Sequence, residues 1–389
     1  MSSIAPTYGQ QKIDLVKGQG AWLYDVSGQA YLDFASGVAV TSLGHGHQAL
    51  TSALTQQTHD LLHVSNLYGI PGQAALADRL TQNSFADAVF FCNSGAEAME
   101  ACFKFARRYH WHQGHPERHE ILSFSGAFHG RTLATLAAGG SDKYLEGFGP
   151  KTNGFPQAAF GDLSAARALI GAKTAALVVE PIQGEGGVRP NTAEFMHGLR
   201  ALADEYGVLL ILDEVQTGVG RTGSFWAHEQ MNLRPDLLAS AKGLGGGIPI
   251  GAALMSQGVA DALAPGVHGS TFGGNPLAMA AGLAVVETID QPDFLAQVRQ
   301  RGAQLAHGLE SLAAGNNKVI ARTRGTGLMQ GLQLYPDQCV ADLAAAARAQ
   351  GLLSVPAGDQ TLRLLPPLII SEDEIEMALC RLSAAVQAL

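Results

Sequence analysis

Residues 208–223 read VLLILDEVQTGVGRTG, an apolar run that stops at two acids, Asp213 and Glu214. Valine, leucine and isoleucine in close succession, bounded by a glycine-rich stretch, describe a strand buried on both faces, as parallel sheets bury theirs. An ionised carboxylate at the mouth of such a strand is costly to desolvate unless a cation or a hydrogen-bond donor meets it. An acid solvated just beyond the core would fit the same pattern, so the surrounding chain has to decide between the two.

Working outward, strand-like and helical runs alternate. AVFFCN precedes the helical SGAEAMEACFKFARRYHWH, EILSFS leads into a glycine-rich turn, and AALVVEP precedes the helical AEFMHGLRALADEYG. This alternation predicts an α/β fold with a mostly parallel sheet covered on both faces, whose ligands bind at the carboxyl ends of the strands, where Asp213 lies. After about residue 280 the pattern changes to long helices, PLAMAAGLAVVETI and FLAQVRQRGAQLAHGLESL, and to the short strands GTGLMQGLQL and TLRLLPPLII. The expected division is a large domain over 51–280 and a smaller α+β domain over 281–389, joined by residues 1–50. In that first segment GAWLYDVSGQAYLDF reads as a hairpin turning at Ser27 and Gly28.

The chain has 389 residues, of which only 15% are charged, well below the usual quarter. Such a composition favours burial of further surface, most simply in a homodimer. A net charge of −9 without a block of lysine or arginine argues against a nucleic-acid partner. The four cysteines, Cys92, Cys102, Cys339 and Cys380, form no C-x-x-C pair and no zinc spacing, so no metal is expected and a reducing cytoplasm fits. The first residues lack a signal-peptide pattern and no apolar run reaches the ~18 residues of a membrane span.

GVGRTG, residues 218–223, matches G-x-G-x-x-G, but it stands clear of the strand and SFWAHEQMNLRPD after it lacks helical periodicity. A dinucleotide fingerprint requires strand, glycines and helix in succession, so the match is set aside. A better partner for Asp213 is Lys242 in LLASAKGLGGGIPIGA, an amine between an apolar run and a glycine cluster. It reads equally as a surface lysine on a loose loop or as a desolvated Schiff-base lysine. Pyridoxal phosphate requires such a lysine for its aldehyde and an acid against its ring nitrogen, which would account for Asp213. On an extended strand Val215 shares the face of Asp213 and could lie on the ring, with Gln216 just beyond as a donor to the ring hydroxyl. The phosphate needs backbone N–H groups, which a helix opening at Ser94, Gly95 and Ala96 would provide. HGSTFGGNP, residues 268–276, is a second cluster of hydroxyls and glycines.

NSGAEA, FHGRT, VVEPIQGEGGV, LDEVQTGVGRTG, SAKGLGGG and HGSTFGGNP, in this order and spanning nearly the whole chain, resemble the class III pyridoxal-phosphate aminotransferases. The resemblance implies the fold-type I architecture, a homodimer with a shared site, and roles carried over position by position. Lys242 matches the Schiff-base lysine, Asp213 the ring-nitrogen acid, Gln216 the donor to the ring oxygen, and Phe128 the aromatic stacked opposite Val215. Ser94, Gly95 and Ala96 match the phosphate loop, although many relatives carry threonine where Ala96 stands. Thr271 matches the threonine that reaches the phosphate in the other subunit.

Glutamate presents two carboxylates, and planar bidentate capture favours arginine. Arg131 and Arg363 stand where the class keeps its carboxylate-binding arginines, and Glu185 matches the acid that neutralises the second when no α-carboxylate is bound. The implied reaction is transamination between an acylated diamino acid and 2-oxoglutarate, with release of glutamate. Within the class the resemblance is nearest to the acetylornithine branch of arginine biosynthesis, on Gly37, Val38 and His129. Tyr8 falls near a contact typical of the ornithine branch, and succinylornithine or N-succinyl-diaminopimelate would satisfy the same residues. Aminomutases and decarboxylases share the lysine and acid but need not accept 2-oxoglutarate.

Overall fold

The computed structural model describes residues 3–9 and 13–389. Its largest sheet has seven strands, ordered Ala88–Cys92, Gly251–Met255, Leu237–Ser240, Leu209–Asp213, Thr174–Val179, Glu120–Phe124 and Gln157–Ala158. All run parallel to one another except Gly251–Met255, which is antiparallel to both neighbours. Alternation of apolar runs does not encode strand direction, which is why the reversed strand is not visible in the sequence. Every residue of Thr174–Val179 and Leu209–Asp213 is buried, as expected for central strands covered on both faces. A fully buried leucine or valine contributes about 1.5–3 kcal/mol, so these strands anchor whatever stands at their ends.

The helix Gly95–His112 follows the edge strand and covers one face of the sheet. Ser94 caps it, its side chain accepting from the Glu97 amide, and Met99, Cys102, Phe103 and Ala106 form its buried stripe. Such a cap is worth about 1 kcal/mol. Helices Ala193–Tyr206 and Pro276–Ile289 bury Phe195, Met196 and Leu199 and Met279, Val285 and Val286 respectively in the other core layer.

Strands from the two ends of the chain pair with each other. Leu15–Gln19, Trp22–Asp25 and Ala30–Asp33 form an antiparallel meander, and Leu352–Leu353 adds parallel to its last strand. The expected turn is present: Asp25 Oδ1 accepts from the amides of Ser27 and Gln29, and Gly28 sits at φ 85°. Ile320–Thr326, Met329–Leu334, Thr361–Leu364 and Val355–Ala357 form a further antiparallel sheet, packed by helices Phe294–Gly315 and Val340–Ala349. Among the described residues no helix is long and apolar enough to cross a membrane.

Candidate active site

The carboxyl ends of the parallel strands converge on a cavity of about 460 Å³, in the range of small-molecule sites. Its wall includes Ser94, Gly95, Ala96, Phe128, Arg131, Glu185, Asp213, Val215, Gln216 and Lys242, drawn from five separate stretches of sequence. Asp213 ends its strand, Glu180 follows Thr174–Val179, and Lys242 follows Leu237–Ser240 on a turn that holds it at φ 46°. This left-handed conformation is unusual for a residue with a side chain.

Asp213 is 5% exposed, and its Oδ2 accepts from His129 Nδ1 at 2.7 Å. Burial disfavours a charge on His129, yet the hydrogen bond to Asp213, the charge of that carboxylate and that of Glu180 together hold the imidazole above its ordinary pKa. Asp213 Oδ1 accepts from the Val215 amide at 3.0 Å. This local bond turns the chain, so Val215 stands in a turn and not on the extended strand that alternation implied. It still lines the cavity, packed so closely on Gly95 that a Cβ there would come within 2.7 Å of Val215 Cγ1.

The neighbouring acid serves the scaffold. Glu214 is fully buried and accepts from the amides of Ala227 and His228, from Thr217 Oγ1, and from His228 Nδ1 at 2.7 Å. The glycine-rich stretch after it is likewise structural. Arg221 is 1% exposed and its Nη1 donates to the carbonyls of Leu328 at 3.0 Å and Pro366 at 2.5 Å.

The amine of Lys242 has no hydrogen bond or ion pair among the described residues. Burial, reinforced by Arg363, brings it down to about 8 against the pull of Asp213, Glu185 and Glu180. Also on the wall, the amides of Gly95 and Ala96 open an 18-residue helix without acceptors among the described residues, while the Ser94 hydroxyl is engaged by Glu97. Free amides at such a terminus suit an anion.

Arg363, 1% exposed, donates from Nη2 to Glu185 Oε1 at 2.7 Å and from Nη1 to Gln216 Oε1 at 2.9 Å, leaving its Nε without a partner. Glu185 and Gln216 thereby cover it, and Arg363 itself does not line the cavity. Gln216 keeps its amide nitrogen free of acceptors among the described residues. Arg131 is exposed and carries no ion pair among the described residues, its guanidinium stacked 3.9 Å from the Tyr144 ring and 5.5 Å from that of Phe128.

Several expected positions lie elsewhere. Gly37 and Val38 do not line the cavity; Val40 does. Ser36, Gly37, Val38 and Ala39 run left-handed at φ 47°, 60°, 66° and 64°, which redirects the turn, and Asp33 holds it by accepting from the amides of Ala35 and Ser36. A β-branched residue in that region costs about 1–2 kcal/mol. Tyr8 is 81% exposed and off the wall, whereas Thr271, expected in the other subunit's site and not on this wall, is exposed.

Glu180 escaped the sequence reading, and His129 was named there only as a mark of the acetylornithine branch, not as a partner of Asp213. Glu180 is 6% exposed, accepting from the Phe128 amide at 3.0 Å and the Gly184 amide at 3.2 Å. Burial, with the charge of Asp213, pushes its carboxyl up to about 7, although His129 and both amides pull the other way. It ends AALVVEP as Asp213 ends its run, so the same signal was available. No such signal joined His129 to Asp213, because it stands in a loop 84 positions from that strand end.

A family model described as Aminotransferase class-III matches residues 3–386. This chain is a class-III aminotransferase. Acetylornithine aminotransferase of Agrobacterium fabrum is 53% identical to it over 383 residues, covering 98% of this chain and 96% of that one. Among solved structures, the ornithine aminotransferase of Toxoplasma gondii ME49 superposes on this aminotransferase with a TM-score of 0.95 at 31% identity, covering 99% of this chain and 93% of the other. A pyridoxal-phosphate-bound amine transaminase from an uncultivated Pseudomonas species gives 0.92 at 31%, covering 100% and 97%.

Proposed function

We propose that this aminotransferase uses pyridoxal phosphate to move the terminal amino group of N-acetylornithine to 2-oxoglutarate, giving N-acetylglutamate 5-semialdehyde and glutamate, a step of arginine biosynthesis. The observation that carries the reading is the covered arginine: Arg363, neutralised at 2.7 Å by Glu185, lies behind a cavity wall that Glu185 and Arg131 both line. The similarity to acetylornithine aminotransferases along nearly the whole chain supports the choice of substrate.

The residues present fit the cofactor by their own chemistry. The unpartnered amine of Lys242 would meet its aldehyde, Asp213 its ring nitrogen, the free nitrogen of Gln216 its ring oxygen, and the amides of Gly95 and Ala96 its phosphate. When bound, pyridoxal phosphate supplies an aldehyde that condenses with amines and an electron-poor ring that takes up the electron pair of a broken C–H bond. Asp213, fixed by His129 and the Val215 amide, holds a negative charge in a buried wall where it favours a protonated ring nitrogen. Lys242, brought down to about 8, is a base near neutral pH and moves the proton at the carbon that bears the transferred amine. Arg131 binds the carboxylate common to both substrates. For glutamate Glu185 swings away and Arg363 takes the second carboxylate; for the acylated diamine Glu185 stays and cancels its charge.

Thr271 is assigned to the partner's phosphate in a homodimer. In support, exposed Leu67, Tyr68 and Phe272 flank it, tied together by Asn66 donating to the carbonyls of Ser270 and Gly273. Ser270 in turn accepts from Asn93 beside the phosphate loop. Residues 51–280 are assigned to a large cofactor domain, and residues 1–50 with 281–389 to a smaller one, supported by the pairing of Leu352–Leu353 with Ala30–Asp33. A cytoplasmic location accords with the biosynthetic role.

The test is the visible spectrum of the loaded enzyme during one addition of N-acetylornithine without keto acid. The cofactor's visible band should decay, and 2-oxoglutarate should restore it with release of glutamate. A band unmoved by N-acetylornithine but moved by ornithine or a succinylated diamine would replace the substrate. A Lys242→Ala variant with normal turnover would refute the site.

A further inference from the structure

Outside the candidate active site lies a larger groove of about 1190 Å³ that shares Phe128 and Glu185 with it, so the groove adjoins the inner cavity at the acid that covers Arg363. Lys143, Arg189, Arg322 and Arg324 line it, against only Glu185 and Asp359. Both acids are already compensated, Glu185 by Arg363 and Asp359 by Arg324 at 2.6 Å. Lys143, Arg189 and Arg322 therefore remain without an ion-pair partner among the described residues, on a chain whose net charge is −9.

Arg189 is the most constrained of the three. Its guanidinium stacks 4.0 Å from the Phe160 ring, and burial first, then Arg324 and Arg322, disfavour its charge against the pull of Asp359. Stacking holds the plane in place without using its hydrogen-bonding edges. Arg322 is tethered by its Nε to Gln333 Oε1 at 2.6 Å, which orients the group and leaves its outer nitrogens available. A concave, low-dielectric wall bearing charge of one sign concentrates ions of the other and speeds their arrival.

We propose that this groove is a docking vestibule for dicarboxylates, in which Lys143, Arg189 and Arg322 capture the dianionic substrate and pass it over Glu185 to Arg131 and Arg363. The inference rests on the functional reading above for the identity of the dicarboxylate, 2-oxoglutarate or glutamate. It adds a second anion site on the path to the inner one.

The test compares the loaded wild-type enzyme with Arg189→Gln and with the triple variant Lys143→Gln, Arg189→Gln, Arg322→Gln at about 20 and 200 mM salt. At low salt kcat/KM for 2-oxoglutarate should fall roughly threefold in the single variant and tenfold in the triple, with kcat unchanged and a flattened salt dependence. The value for an uncharged aldehyde acceptor should not change. A wild-type salt slope in the triple variant, or an equal loss on the uncharged acceptor, overturns the proposal; if the triple variant does not fold, the single variant decides by the same criteria. Calorimetric titration with glutarate, an unreactive dicarboxylate, separates this proposal from the functional one. Should the wild type fail to turn over 2-oxoglutarate, weaker and less salt-dependent glutarate binding by Arg189→Gln still supports the vestibule, and unchanged binding overturns it.

Discussion

Replacing Glu185 by glutamine should split the two half-reactions. In the resting site Glu185 Oε1 accepts from Arg363 Nη2 at 2.7 Å, and the arginine is 1% exposed while the acid is about a third exposed, at 29%. A hydrogen bond to a charged group is worth about 1.5–3 kcal/mol net, and solvent reaching the carboxylate lowers that to about 1–2 kcal/mol. On the proposed reading, the α-carboxylate of glutamate displaces this contact before it reaches Arg363. Glutamine keeps an oxygen at the same place but no charge, so displacement becomes easier by about 1 kcal/mol, or roughly fivefold in kcat/KM for glutamate. For the acylated diamine the effect reverses. Arg363 then has no carboxylate to neutralise it and lies close enough to depress the Lys242 amine further, since Glu185 is one of the groups that hold that amine up. An amine-bearing chain entering beside an uncompensated guanidinium should lose about 1–2 kcal/mol, roughly fivefold to thirtyfold. Single-turnover rates of the loaded enzyme with each amino donor measure both values. The ratio between them should move by roughly thirtyfold to 150-fold toward glutamate, and loss of both by one common factor would refute the neutralisation argument.

Replacing His129 by phenylalanine removes the 2.7 Å bond to a buried Asp213, leaving that acid only the Val215 amide. The dissociation constant of pyridoxal phosphate, read by equilibrium dialysis, should rise about tenfold to hundredfold, with His129→Asn recovering part of the loss; unchanged affinity would mean that the imidazole only fills space. Uptake of pyridoxal phosphate by the unloaded protein needs the unprotonated amine of Lys242, a fraction that grows with pH. Because that amine lies at about 8, the uptake rate should rise through pH 8 and level off above 9, whereas a midpoint near 10.5 would show an unperturbed lysine. Replacing Arg221 by methionine leaves the carbonyls of Leu328 and Pro366 unpaired in the core, so chemical denaturation should report a loss of about 2–4 kcal/mol with the substrate ratio unchanged.

The fold and the polar centre of the site are legible along the chain because both are local. Apolar runs of strand length alternate with helical periodicity, and the acid, the lysine and the capped helix start each follow such a run, as Asp213, Lys242 and Ser94 do. Strand direction and the turn at Val215 are not legible, since the same alternation serves either direction and a single side-chain-to-amide bond bends the chain. The pairs that give the site its chemistry join residues far apart: His129 to Asp213 across 84 positions, Arg363 to Gln216 across 147, and Arg363 to Glu185 across 178. The cationic groove is more dispersed still, assembled from stretches around residues 143, 189 and 322. Sequence by itself determined the class of fold and which side chains stand at strand ends. Tertiary structure decided which of them meet, because strand order and long-range packing set charges within hydrogen-bond reach and no local pattern records that distance.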